Sequence, residues 1–443
     1  MTRKTIIKGA VVMTMDDTLG TIVGGDVVLE GNRILAVGRN LSEPGAEEID
    51  ASNMICMPGF VDTHRHTWAT MLRGCSCCGS LNDYFARTIF TYGANFTPED
   101  SYVSARLGHA ETIDSGITTV HAWEHNIQTP AHARAVLAAL RESGLRGRFG
   151  YGPSNDASAG SSFAKGTETV DFEDIERLRA AEFGKNPDDL LHLGVASIGV
   201  EYSKVWIEEF ATARAMGLPI SAHTMMTRQL VATCRGVSEY QKHNALGPDL
   251  LLIHAIHANE EEFGYLARSR TPVSIATLSE LRTGTGLAPI VEMMRAGIDI
   301  SHSVDTMVAS DNSDMFALLR TTMILQRGRL EDATVYTPEQ VLKQGTIGGA
   351  RALGLAHEIG SLVPGKKADV ILIRTDQLNM APLNVPDGQV VLAAQPRNVD
   401  TVWIDGRVRK QHGALVDVDE AALCAAASKA VAGLAKRIGQ PVV

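Results

Sequence analysis

Eight short apolar runs recur along the chain, opening near Met54, Ile117, Gly147, Leu190, Leu218, Leu250, Pro272 and Ile298. Helical stretches separate them, among them Pro98 to Asp114, Pro130 to Ser143, Val205 to Met216 and Leu287 to Ala296. Several of these open on proline, and Gly116, Gly144, Gly217 and Gly297 follow such stretches, the asymmetry expected of helix ends. Strands that alternate with helices pair in parallel, because a parallel connection needs a crossover long enough to hold a helix. Eight such units over about 300 residues predict an α/β fold of the (β/α)8 TIM-barrel type. An open doubly wound sheet fits less well, since no glycine-rich phosphate loop follows the first run.

The two ends of the chain read differently. Thr5-Ile-Ile-Lys-Gly-Ala-Val-Val-Met, Gly25-Asp-Val-Val-Leu-Glu and Arg33-Ile-Leu-Ala-Val-Gly are strand-like, with turns expected at Gly24-Gly25 and Gly31-Asn32. A matching set returns as Ala368-Asp-Val-Ile-Leu-Ile, Asn398-Val-Asp-Thr-Val-Trp-Ile and Arg407-Val-Arg-Lys, with Asp405-Gly406 as a two-residue hairpin turn. Neither set has enough strands to bury a core alone, so the two are expected to join in one composite β-sandwich. The expected division is residues 1–57 plus 359–417 in the sandwich, 58–358 in the barrel and 418–443 in a terminal helix. The Ala-rich stretch Asp419 to Ile438 would form that helix and pack on the surface.

Of 443 residues, 41 are Lys or Arg and 51 Asp or Glu, a formal charge of −10 that offers nucleic acid and anionic membranes no global attraction. No apolar run approaches the roughly 20 residues of a bilayer span. Met1-Thr-Arg-Lys-Thr-Ile-Ile makes a poor export signal, so a cytoplasmic location is expected. Three of the six cysteines crowd into Cys75-Ser-Cys77-Cys78. Without a second CxxC or a nearby histidine they do not complete a four-ligand metal set, and reduced thiols in a loop near the active site are expected.

Barrel active sites lie at the C-terminal ends of the strands, so the polar residues there carry the argument. Strand one ends in Asp62-Thr63-His64-Arg65-His66, strand five in Ser221-Ala222-His223, strand six in Ile253-His254-Ala255-Ile256-His257 and strand eight in Ser303-Val304-Asp305. Alternation in an extended chain points His64 and His66 to one side and Arg65 to the other, and two imidazoles at that spacing suit a chelate. Any one of these histidines is more simply a hydrogen-bonded core residue. Five such residues at one barrel mouth are a strong set.

At these residues the chain resembles the amidohydrolase superfamily, in particular its branch of cytosine deaminases and triazine chlorohydrolases. Pro58-Gly-Phe-Val-Asp-Thr-His-Arg-His resembles the strand-one signature, and Ile359-Gly-Ser-Leu-Val-Pro-Gly-Lys-Lys-Ala-Asp-Val the return to the sandwich. Asp311-Asn-Ser-Asp-Met-Phe is similar to the segment after the strand-eight aspartate. The resemblance covers nearly the whole chain. It implies one divalent ion, zinc foremost with iron or manganese as alternatives, held by His64, His66, His223 and Asp305, with His254 beside the bound water. His257 is expected to support the site or touch substrate. A small-molecule substrate and a homodimer or larger homo-oligomer are also implied.

Two departures bear on mechanism. Deaminases of this branch carry a glutamate three residues after the strand-five histidine; here His223-Thr-Met leads to Met226, whose thioether carries no proton. Strand seven reads Ser274-Ile-Ala-Thr where the branch often has Ser-His-Asn-Pro. Candidate replacement acids are His257, His121, Glu124 and His125, with His125, Glu124 and Trp68 also expected near substrate. Glu201 offers a further alternative, bridging a second metal with His254. Aromatic residues between Trp68 and Phe96 suit a flat ring, although packing of a long loop explains them equally well. Arg65 and Arg73 are read as scaffold or surface residues, with recognition of a carboxylate as the alternative. The expected activity is metal-assisted cleavage of a C–N, C–halogen or C–S bond on a small heterocycle. An amide or ring-opening hydrolase and a catalytically silent metal-binding scaffold are the alternatives.

Overall fold

The computed structural model describes residues 3–153, 170–186 and 189–441. Its centre is an eight-stranded parallel barrel built from β6 (Phe60–Arg65), β7 (Ile117–Glu124), β8 (Arg146–Tyr151), β9 (Leu191–Ser197), β10 (Ile220–Thr224), β11 (Leu250–His254), β12 (Val273–Ile275) and β13 (Ile300–His302). Consecutive strands pair in parallel from β6 to β13. The ring closes just beyond β13, where Asp305 N–H donates to His64 O and His66 N–H to Asp305 O, each at 3.0 Å. The predicted helices are present as Pro98–Asp114, Pro130–Ser143, Trp206–Ala215 and Ile290–Arg295. Thr97 caps the first through a reciprocal bond with Asp100, and Gly144 ends the second in the left-handed region at φ +69°.

The terminal segments join as expected. The sheet they form contains β1 (Lys4–Met13), β2 (Thr21–Glu30), β3 (Arg33–Gly38), β4 (Glu47–Asp50), β5 (Met54–Pro58), β14 (Val370–Arg374), β15 (Val399–Ile404), β16 (Arg407–Gln411) and β17 (Ala414–Leu415). The antiparallel pairing of β5 with β14, Pro58 opposite Val370, joins the two ends of the chain. Ile7, Val12, Val27, Cys56, Leu372 and Trp403 form the core of this region. Asp405 and Gly406 both have positive φ, as a two-residue hairpin of the primed type needs.

Two local expectations are corrected. The apolar run from Met54 is not one barrel strand: Met54–Pro58 belongs to the outer sheet, and the barrel strand starts at Phe60. Gly59 marks the change, where a Cβ would stand 2.1 Å from the Thr118 side chain. Gly24-Gly25 is not a turn but lies inside β2, where the pairing with β1 slips between Ala10–Gly25 and Val12–Ile22. Gly24, at φ +63°, accommodates that bulge, and the reversal falls earlier, between Met13 and Thr21. The helix Glu420–Ile438, capped by Asp419, lies against Pro98–Asp114, with Arg437 Nε donating to Asn95 O at 3.0 Å and its guanidinium paired to Asp100. Among the described residues no helix is long and apolar enough to cross a membrane.

Candidate active site

The structure brings His64, His66, His223, His254 and Asp305 together at the C-terminal rim of the barrel. His64 Nε2 and His66 Nε2 lie 3.4 and 3.3 Å from Asp305 Oδ1, and His223 Nε2 lies 3.2 Å from His64 Nε2. One ligand atom each from His64, His66 and His223 fits within 4.8 Å of the others, and so does one each from His64, His254 and Asp305. Asp305 and His254 sit at φ +63° and +77°, in the left-handed region that non-glycine residues rarely occupy. Such strain persists where surrounding structure over-determines it, and it gathers at functional sites.

The electrostatics suit a cation. Burial drives His64 down to about 3 and His223 well below the usual imidazole range, with neighbouring imidazoles adding to both, so both rings are neutral. Burial alone would raise Asp305, but the imidazoles of His64 and His66 beside it hold it well below the usual carboxylate range. His66 Nδ1 lies 3.1 Å from Trp123 O, where only an N–H makes a bond, so Nε2 keeps its lone pair. Two imidazole nitrogens at 3.2 Å repel unless a proton or a cation lies between them. Three imidazoles with a carboxylate beside them are a donor set of the kind that could hold one divalent ion.

The other predicted residues separate into groups. His125 lines the cavity over the cluster, accepts from Trp68 Nε1 at 3.3 Å and packs edge-on against His66. Burial holds it neutral. Trp68 and Glu124 lie one layer behind: Glu124 accepts from Thr67 and is pushed up to about 7 by burial. His257 does not face the cluster; its Nε2 lies 2.8 Å from Thr285 O, and the ring lines an outer groove. His121 lies inside the barrel against Ser221 Oγ at 2.8 Å. Glu201 Oε1 accepts from Thr224 Oγ1 and Met225 N, both at 2.7 Å, and Glu201 belongs to neither ligand group. Arg65 is buried against Ser313 Oγ at 2.7 Å, and Arg73 pairs with Glu111, so both are scaffold. No cysteine joins a metal-competent group among the described residues, and Cys77 and Cys78 lie at the surface.

Sequence reasoning missed the residues supplied by the helix Thr277–Arg282. Glu280 Oε1 lies 3.0 Å from His254 Nδ1 and accepts from Ala276 N–H at 2.9 Å. Ser279 donates to Asp305 Oδ2. Burial opposes charge on His254, but the bond to Glu280 and the carboxylates of Asp305 and Glu280 raise its affinity for protons above the usual range. The sequence signal was the altered strand-seven segment itself, six residues before Glu280. The cavity is walled by Leu81, Tyr84, Phe85, Ile198 and Met226 as well as the polar cluster.

The rim of this barrel carries four imidazoles and one carboxylate in groups able to hold a metal ion. The amidohydrolase family model matches residues 55–409, and the chain belongs to that family, hydrolases that act on carbon–nitrogen bonds other than peptide bonds. It is 29% identical to the 5'-deoxyadenosine deaminase of Methanobrevibacter smithii, covering 92% of this chain and 93% of that one. It is 28% identical to the 5-methylthioadenosine/S-adenosylhomocysteine deaminase of Pelotomaculum thermopropionicum, over 98% and 99% of the two. In fold it is similar to a zinc-bound adenosine deaminase from Xanthomonas campestris, with TM-score 0.85, 24% identity and coverage of 98% and 99%. It is also similar to the zinc complex of atrazine chlorohydrolase from Arthrobacter aurescens TC1, with TM-score 0.86, 20% identity and coverage of 96% and 99%.

Proposed function

We propose that the enzyme releases an amine or ammonia from a small nitrogen heterocycle, using one divalent ion, zinc foremost, held by His64, His66, His223 and Asp305. The observation that carries this reading is the approach of His223 Nε2 to 3.2 Å from His64 Nε2, from strands on opposite sides of the barrel, with Asp305 beside them. When bound, the ion lowers the pKa of a coordinated water toward neutrality and polarises the electrophilic centre. Asp305 accepts the proton released by the attacking water and passes it toward the departing nitrogen. His254, fixed by Glu280, hydrogen-bonds to the oxygen as charge develops on it. His125 and Trp123 form one wall for a flat ring, and Tyr84, Phe85 and Ile198 exclude water.

The names of the sequence relatives support an aminated ring as substrate. Met226 removes the strand-five carboxylate that such a reaction ordinarily uses, so in this reading the proton for the departing nitrogen comes through Asp305. The test is a screen of amino-, halo- and alkylthio-heterocycles with zinc-replete protein, following ammonia and substrate loss together. Ammonia released in step with substrate is the expected result. A new carboxylate without ammonia, as from ring opening or amide cleavage, would reject the proposed reaction.

A further inference from the structure

The carboxylates of the cavity are unequally committed. Asp305 is fully engaged, Oδ1 near His64 and His66 and Oδ2 accepting from Ser279. Glu280, only 2% exposed, is also part of the wall. Its Oε1 is bound to His254 and to Ala276 N–H, but its Oε2 is buried with no hydrogen-bond partner. A buried oxygen of this kind left unmatched is costly, and the cost disappears when a ligand N–H meets it. Trp123 Nε1, in the same wall, is a buried donor likewise unpartnered. None of the lining residues is Lys or Arg. The remaining wall is largely apolar and aromatic.

We infer that Glu280 is a substrate-anchoring residue, and that the cavity takes a neutral or cationic heterocycle carrying an amino or ring N–H group that donates to Glu280 Oε2. This rests on the proposed function for the identity of the site, but it concerns recognition rather than cleavage. Its geometry departs from the strand-five position: the acceptor comes from the helix after strand seven, on the residue that also orients His254.

The test measures binding, by calorimetry at pH 8, of matched ligands too electron-rich to be hydrolysed: 2-aminopyridine against 2-methoxypyridine, and 2-aminobenzimidazole against 2-methoxybenzimidazole. The protein should prefer the amino member of at least one pair by about tenfold or more, the worth of a hydrogen bond to a charged group. Glu280→Gln retains an acceptor for His254 and places an amide N–H₂ where Oε2 stood, so the preference should invert toward the methoxy ligand. Preferences within about twofold for both pairs, or a Glu280→Gln protein that keeps the original preference, would overturn the inference. Zinc content and ammonia release are followed in both proteins. Inversion here with no ammonia from any ring of the heterocycle screen rejects the proposed reaction and retains the anchor; ammonia in that screen without inversion here does the reverse.

Discussion

Burial and charge pull in opposite directions at individual residues of this enzyme. His64 and His223 are kept neutral by burial and by the neighbouring imidazoles, which leaves their lone pairs for a ligand. Replacing His64 by Ala or Asp305 by Asn should therefore lower bound zinc from one ion per chain to well below half, measured by elemental analysis of the dialysed protein. Stoichiometric zinc in either variant would refute the ligand set. Far from the cluster, Glu209 carries the cost of burial without that benefit: it is pushed up to about 7, accepting weakly from Val170 N–H at 3.4 Å. The folded state then binds the extra proton between about pH 4.5 and 7, so stability contributed at this position falls as pH rises through that window. Glu209→Gln lacks the titration. In urea unfolding its stability should gain on the parent between pH 5 and 8 by up to roughly 3 kcal/mol, and parallel curves would show that Glu209 is not the cause. Glu280 was illegible at this scale for a simple reason. A carboxylate on a short helix looks like any solvated charge until the fold turns it toward His254.

Elements were legible where periodicity and end signals agreed. Pro98–Asp114 had its proline and its following Gly116, and it stands where those signals put it. The run from Met54 is broken only by Pro58-Gly59, and its two sides belong to different sheets. The crossing depends on close approach rather than hydrophobicity. Gly59→Ala should destabilise the protein by roughly 1–3 kcal/mol, as overpacking does, with Thr118→Gly restoring much of the loss in a double-mutant cycle. Additive effects of the two changes would show that this contact does not decide the crossing. Gly24 gives the complementary lesson: a glycine read as a turn was needed for positive φ inside a strand.

For the molecule as a whole, a ligand that binds only the folded state adds its binding free energy to stability. Chelation of the metal should lower the melting temperature by several degrees, zinc should restore it, and the His64→Ala protein should melt at one temperature with or without zinc. An unchanged melting temperature on chelation in the parent protein would count against a resident ion. The barrel, the joined terminal sheet and the histidine cluster were readable because each rests on many residues obeying one pattern. The chamber above the cluster was not, because its walls come from loops and short helices whose placement follows from packing.

The seam of the barrel is sewn by main-chain atoms of His64, His66 and Asp305, the same residues whose side chains meet above it. A chain with that seam undone has no half-built centre: the two histidines and the aspartate part company together. Ring closure and the histidine cluster therefore share residues, while positions 226 and 280 take no part in the stitching.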